Sequence, residues 1–113
     1  MFTLKNYKKR KKIEGDVLKI YRKVSPSHRN LIDVQSKIKF FNQRINLFKT
    51  LGLPLSFFKN KKILEIGGGT GEKALFYAFY GAKVTIVEPN EKSCFIAKKI
   101  FSQTKLVKKL TVI

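Results

Sequence analysis

The stretch KILEIGGGTGEKALFYAFYGAKVTIVEPN, Lys62 to Asn90, decides the fold. Lys62 to Ile66 is a short apolar run of strand length, and Gly67, Gly68, Gly69, Thr70 and Gly71 follow it without a spacer. Glu72 to Tyr80 is then apolar on nearly every face, so it reads as a helix that must be covered on more than one side, with Gly81 as its cap. Ala82 to Glu88 is β-branched and apolar, as a buried parallel strand should be, and Pro89 stops it. Strand, glycine turn, helix and strand in this order form one crossover unit, which is right-handed when both strands lie in one sheet.

The same grammar extends in both directions. Asn90 is placed to cap a helix over Glu91 to Ser102, with Glu91 at its positive end and Lys98 and Lys99 at its negative end. A third strand, KLTVI, begins near Lys109. Upstream, Ser25 and Pro26 resemble a helix start. The helix that follows has apolar residues at Leu31, Val34, Ile38, Phe41, Ile45 and Phe48, a single stripe expected to pack onto Phe76, Phe79 or Tyr80. Gly52 and Pro54 end it, and Ser56 to Phe58 makes a short turn against the core. The first two dozen residues hold the basic run Lys8 to Lys12 and a short helical pattern through Val17, Leu18, Ile20 and Tyr21, either a mobile arm or an outer helix.

Composition bounds the partners. The chain has 113 residues, 43% of them hydrophobic, which suffices for one small packed domain. No apolar run approaches the ~20 residues of a membrane-spanning helix, and the basic N-terminus lacks the apolar segment of a secretory signal, so the expected location is the cytoplasm. One cysteine, Cys94, and one histidine, His28, give neither an internal disulfide nor a metal cluster. The 25 Lys and Arg against 7 Asp and Glu leave a formal charge of +18, which attracts nucleic acid or other anions. Lysine greatly exceeds arginine, and Lys, Asn, Ile and Phe rise together, the signature of an AT-rich coding sequence. The charge is therefore read as compositional, with nucleic-acid binding through the N-terminus as the lesser reading.

The glycine turn has a chemical use. Where a parallel strand passes into a helix, backbone N–H groups and the positive helix end converge on a ligand, and glycines let it approach the backbone. At the end of the next strand, Glu88 lies 17 residues beyond Gly71. That separation puts a carboxylate at the ribose of a nucleoside lying across the strand ends.

Glu65-x-Gly67-x-Gly69-x-Gly71, followed by VTIVEPN with its acid at Glu88, resembles motifs one and two of class I S-adenosylmethionine-dependent methyltransferases. The resemblance covers about residues 60 to 113 and extends more loosely back through FFNQRINLFKTLGLPLSFFKNK. It implies an α/β fold with a Rossmann-like three-layer parallel sheet, of which the first three strands are present, preceded by N-terminal helices. It implies S-adenosyl-L-methionine as cofactor. Gly67, Gly68, Gly69, Thr70 and Gly71 would cradle the methionine part, Glu65 would orient its amino end, Glu88 would bind the ribose hydroxyls, and Pro89 and Asn90 would border the adenine. In the family the sheet runs in the order 3-2-1-4-5-7-6, so Lys62 to Ile66 would be central. The expectation is accordingly a basic helical extension over residues 1–58 and the truncated first half of a methyltransferase domain over 59–113, inactive alone.

Other readings of the same residues are weaker. Gly69-x-Gly71-x-x-Ala74 matches the dinucleotide pattern of a nicotinamide oxidoreductase, but it starts two residues late after the strand and leaves Glu65 without a role. A phosphate loop fails because Lys73 is followed by Ala74, where a magnesium-binding hydroxyl belongs. A basic nucleotide-fold module that binds RNA without chemistry is the remaining alternative. Methyl transfer from a sulfonium requires alignment more than a general base, and no residue is assigned as catalytic. Cys94 reads as a small buried thiol, His28 as solvated, and the methyl acceptor is not legible.

Overall fold

The computed structural model describes residues 3–23 and 34–113. Helix α1 spans Leu4–Lys23 and α2 spans Val34–Thr50. A 3-10 turn at Leu55–Phe58 leads into strand β1, Lys62–Ile66, helix α3, Glu72–Phe79, strand β2, Lys83–Val87, and helix α4, Glu91–Ser102. A second 3-10 turn, Val107–Lys109, precedes strand β3, Leu110–Val112. The expected helix start at Ser25 and Pro26, the stripe residue Leu31, and His28 lie outside the described residues.

The three strands form one parallel sheet in the order β1-β2-β3. Glu65 pairs in register with Ile86, and Ile86 with Val112. This is a partial Rossmann-like α/β fold. One face of the sheet, carrying Val84 and Ile86, is buried with Ala74, Phe76, Ala97 and Phe101 of α3 and α4. Both crossovers are right-handed in such a unit and the strand order advances in one direction, so both helices fall on this face.

Helix α2 packs against α3. Phe48 stacks on Phe76 with ring centroids 5.7 Å apart, and Phe41 meets Phe76 and Phe79 edge-on at 5.3 Å each. Two of the predicted contacts, at Phe76 and Phe79, are thus made. The stripe itself is rotated from the apolar count. Phe40 and Phe48 are buried, Phe41, Arg44 and Ile45 are half-buried, and Ile38 is 51% exposed. The inward face therefore runs Lys37, Phe40, Phe41, Arg44, Ile45 and Phe48, a helical spacing that includes two half-buried cationic side chains.

Helix ends follow local chemistry. Gly52, at φ +71°, closes α2, with the Leu53 N–H donating to the Phe48 carbonyl and the Gly52 N–H to Lys49. Asn90 caps α4, its Oδ1 accepting from the Ser93 N–H at 2.8 Å. Gly81 ends α3 at φ +101°, against the backbone of Lys59. Helix α1 is an outer helix with no buried residue; Arg10 and Lys11 pair with Glu14 in the solvent.

The other face of the sheet is open among the described residues. Leu64 is 62% exposed and Ile66 80% exposed, and both belong to β1, an edge strand. An apolar edge with unpaired N–H and C=O groups is a template for association. The isolated 113-residue chain is expected to elute above its 13.1 kDa monomer mass in gel filtration with light scattering. Leu64→Lys combined with Ile66→Lys should return it toward the monomer. A monomeric parent chain would mean that this edge is guarded in another way.

Candidate functional site

The turn after β1 brings the glycine run, the β1 acid and helix α2 around one cavity of about 600 Å³. Its lining includes Glu65, Gly67, Gly68, Gly69 and Thr70 together with Phe40 and Arg44 of α2 and Lys73 of α3. Five of the nine residues expected to bind cofactor, Glu65 to Thr70 without Ile66, thus line one cavity. Gly71, Glu88, Pro89 and Asn90 do not line this cavity.

The glycines serve two different ends. Gly67 and Gly69 sit at φ +69° and +58°, and a Cβ there would meet nothing within 4 Å. Backbone conformation selects glycine at those two places. A Cβ on Gly68 would stand 2.5 Å from Ile86 Cγ2, and one on Gly71 would stand 2.8 Å from Ala97 Cβ. These two glycines admit close packing of the turn against β2 and α4. Room for a ligand is therefore not the reason for Gly68 and Gly71.

Glu65 is half-buried on β1, and its Oε2 is buried with no hydrogen-bond partner. Burial pushes its carboxyl above the usual range, against the opposing pull of Lys73 and Arg44. Arg44 reaches the cavity from α2. Its Nη2 donates to the Tyr77 hydroxyl at 3.1 Å, its guanidinium carbon lies 5.4 Å from the Phe48 ring centroid, and its Nε is buried without a partner. Thr70 is buried, and its hydroxyl donates to Glu72.

Glu88 directly follows β2, is 4% exposed and ties the strand ends together. Its Oε1 accepts from the Gly69 N–H at 3.0 Å, and its Oε2 from the Asn90 N–H at 2.9 Å. A third donor comes from α1: the Tyr21 hydroxyl reaches Glu88 Oε1 at 3.1 Å. Asn90 Nδ2 in turn donates to the Tyr21 carbonyl at 2.6 Å. Desolvation, and then the Glu88 carboxylate, push the Tyr21 hydroxyl above its ordinary pKa, which keeps it a donor. The last turn of α1 is thus anchored on the two residues expected to meet ribose and adenine.

Cys94 is half-buried with its thiol on the Glu88 carbonyl at 3.1 Å, and burial and the Glu88 carboxylate both raise its pKa, which suppresses the thiolate. Among the described residues, no group of His, Cys, Asp and Glu is placed to hold a metal ion, and no helix is long and apolar enough to cross a membrane.

Arg44 and Tyr21 are the site residues that sequence reasoning missed. The available signal for Arg44 was its position four residues after Phe40 and four before Phe48, between two aromatics on one helix face. Tyr21 carried no signal, because its contacts span 67 and 69 residues of sequence.

The sheet order, the crossover helices and the glycine turn together define a methyltransferase-like α/β fold. Solved structures that it resembles include protein arginine methyltransferase 10 of Arabidopsis thaliana, seen in an open conformation, with a TM-score of 0.52 and 26% identity over 74% of this chain and 22% of that one. A putative RNA methyltransferase from Pyrococcus horikoshii matches with a TM-score of 0.50 and 20% identity over 100% of this chain and 51% of that one. The chain therefore spans about half or less of the length of these proteins. No family model matches the sequence, and no curated protein matches it.

Proposed function

We propose that these residues form the S-adenosylmethionine-binding part of a methyltransferase, with the remaining strands and the acceptor site supplied by further sequence. The observation that carries the reading is that Glu65, whose Oε2 is buried without a partner, lines the same cavity as the Gly67 to Thr70 turn. A buried carboxylate oxygen without a donor is costly, and an ammonium group arriving from a ligand removes that cost. The open Cβ directions at Gly67 and Gly69 leave the turn accessible on the ligand side. When bound, the cofactor supplies an activated sulfonium methyl group. The protein's part is to hold the methionine end at Glu65 and the turn, and the ribose at Glu88.

In this reading Glu88 Oε1 is shared between two claims. The ribose hydroxyls take the position that the Tyr21 hydroxyl now occupies, while the Gly69 and Asn90 N–H bonds keep the carboxylate in place. The basic run Lys8 to Lys12 remains a solvated face and plays no part in cofactor binding.

Calorimetric titration of the intact protein should show binding of S-adenosylmethionine and of its demethylated product, and none of NAD. Heat with NAD alone would instead support an oxidoreductase. Glu88→Ala should weaken S-adenosylmethionine binding by about 1.5–3 kcal/mol, the scale of hydrogen bonds to a charged group. Tyr21→Phe, which removes the competing donor, should not weaken it. Unchanged affinity in a Glu88→Ala protein that melts like the parent would take Glu88 out of the site.

A further inference from the structure

Lysine is abundant throughout the chain, but on α1 it is not scattered. Nine of the 20 residues of this helix are Lys or Arg against two acids, which leaves it a local charge of +7. On α-helical geometry Lys5, Lys8, Lys12, Lys19 and Lys23 fall within about 60° of arc and form a line about 27 Å long. All five are exposed, and none is paired with an acid among the described residues. Glu14 is taken up by Arg10 and Lys11 off the line, and Asp16 is the one acid at its edge.

The line faces away from the body of the protein. Leu18 and Tyr21, at 38% and 44% the least exposed apolar side chains of α1, lie on other sides of the helix, and Tyr21 is tied to Glu88 and Asn90. A helix adsorbed on a bilayer turns an unbroken apolar arc to the acyl chains. Here that arc is tied to the body at Tyr21 and interrupted by the Arg10 and Glu14 pair. A protein interface needs apolar or aromatic anchors at its centre, and the lysine line has none. A regular row of unpaired cations alone is what a polyphosphate backbone requires.

We infer that the outer face of α1, along Lys5, Lys8, Lys12, Lys19 and Lys23, binds the phosphate backbone of a nucleic acid strand. With no aromatic residue on the line the contact is sequence-independent. The last lysines share their turns of helix with Tyr21, so a strand held here ends beside Glu88. The surface does not depend on the methyl-donor reading.

The test is fluorescence anisotropy of labelled oligouridine and oligothymidine, each about 20 nucleotides long, with the intact protein across a salt series. Lys5→Gln, Lys8→Gln, Lys12→Gln and Lys19→Gln together keep good helix formers at exposed positions, which circular dichroism checks. This variant should bind the strand at least about 10-fold more weakly near 0.1 M salt, with a log–log salt slope smaller by about 2–3. A control variant, with Lys59, Lys61, Lys62 and Lys83 changed to Gln at the opposite ends of the strands from Glu88, removes the same charge and should lose less than about threefold. Binding of either polymer through the line supports the inference, and the tighter of the two identifies the source. Equal losses in both variants would make the attraction a property of bulk charge and overturn it. So would adsorption to phosphatidylserine vesicles, lost in the α1 variant, with neither strand bound. S-adenosylmethionine affinity should be the same in the α1 variant and the parent, so failure of the cofactor reading is seen separately from failure of this one.

Discussion

Phe76→Ala is expected to cost about 3–5 kcal/mol, most of the stability of a small domain. Phe76 is fully buried, and five aromatic rings surround it at centroid distances of 5.0 to 6.3 Å. Phe41 and Phe48 come from α2, Phe58 from the 3-10 turn before β1, and Tyr77 and Tyr80 from α3 itself. This ring is thus the point at which α2, the turn and α3 meet. Its removal leaves a cavity that aromatic neighbours on three elements cannot all collapse into. The fitting comparator is Phe79→Ala, one helical turn along, where the side chain is 59% exposed and touches Phe41. That change should cost about 1 kcal/mol or less, in proportion to the smaller area buried. Urea unfolding followed by circular dichroism reads both. Similar losses at the two positions would show that the aromatic cluster is not centred on Phe76.

The same cluster explains what the sequence revealed and what it withheld. Alternation of strand and helix, the glycine turn, the Asn90 cap and the end of α2 at Gly52 are local consequences of residue type, and each appears where the sequence places it. The rotation of α2 is not local. Counting apolar residues put Ile38 in the core and passed over Arg44, whereas packing chose the face that presents Phe40 and Phe48 to α3 and carried Arg44 inward with them. A guanidinium scores as polar in any periodicity, yet its planar head lies on an aromatic ring and its stem is apolar.

The placement of Glu65 beside the glycine turn was legible because strand, turn and helix are contiguous. Their joint cavity with α2 and the anchoring of Tyr21 on Glu88 depend on contacts across the whole chain. The two kinds of glycine were also indistinguishable in sequence, since a positive φ and a close approach both read only as Gly.

Gly71→Ala tests that last distinction and carries the second-largest expected loss, about 2–5 kcal/mol. Two penalties combine at this position. Gly71 has φ +85°, where an L-residue pays about 1–2 kcal/mol, and its new Cβ would stand 2.8 Å from Ala97 Cβ and 3.2 Å from Ala97 Cα, an overpacking cost of about 1–3 kcal/mol. Gly67→Ala pays the first penalty alone, because its Cβ would enter open space at φ +69°. The difference between the two variants in denaturant unfolding therefore isolates the contact with α4. Ala97→Gly removes the nearer of the two atoms, so the double variant Gly71→Ala with Ala97→Gly should lose less than the sum of the single changes. Gly71 also accepts the Leu75 N–H as the residue preceding α3, at 2.9 Å, so the strain enters the turn that frames the cavity. On the proposed methyl-donor reading, Gly71→Ala should consequently lower S-adenosylmethionine affinity even at temperatures where the protein remains folded. Equal losses at Gly67 and Gly71, with no coupling to Ala97, would mean that backbone freedom alone selects glycine at both ends of the turn.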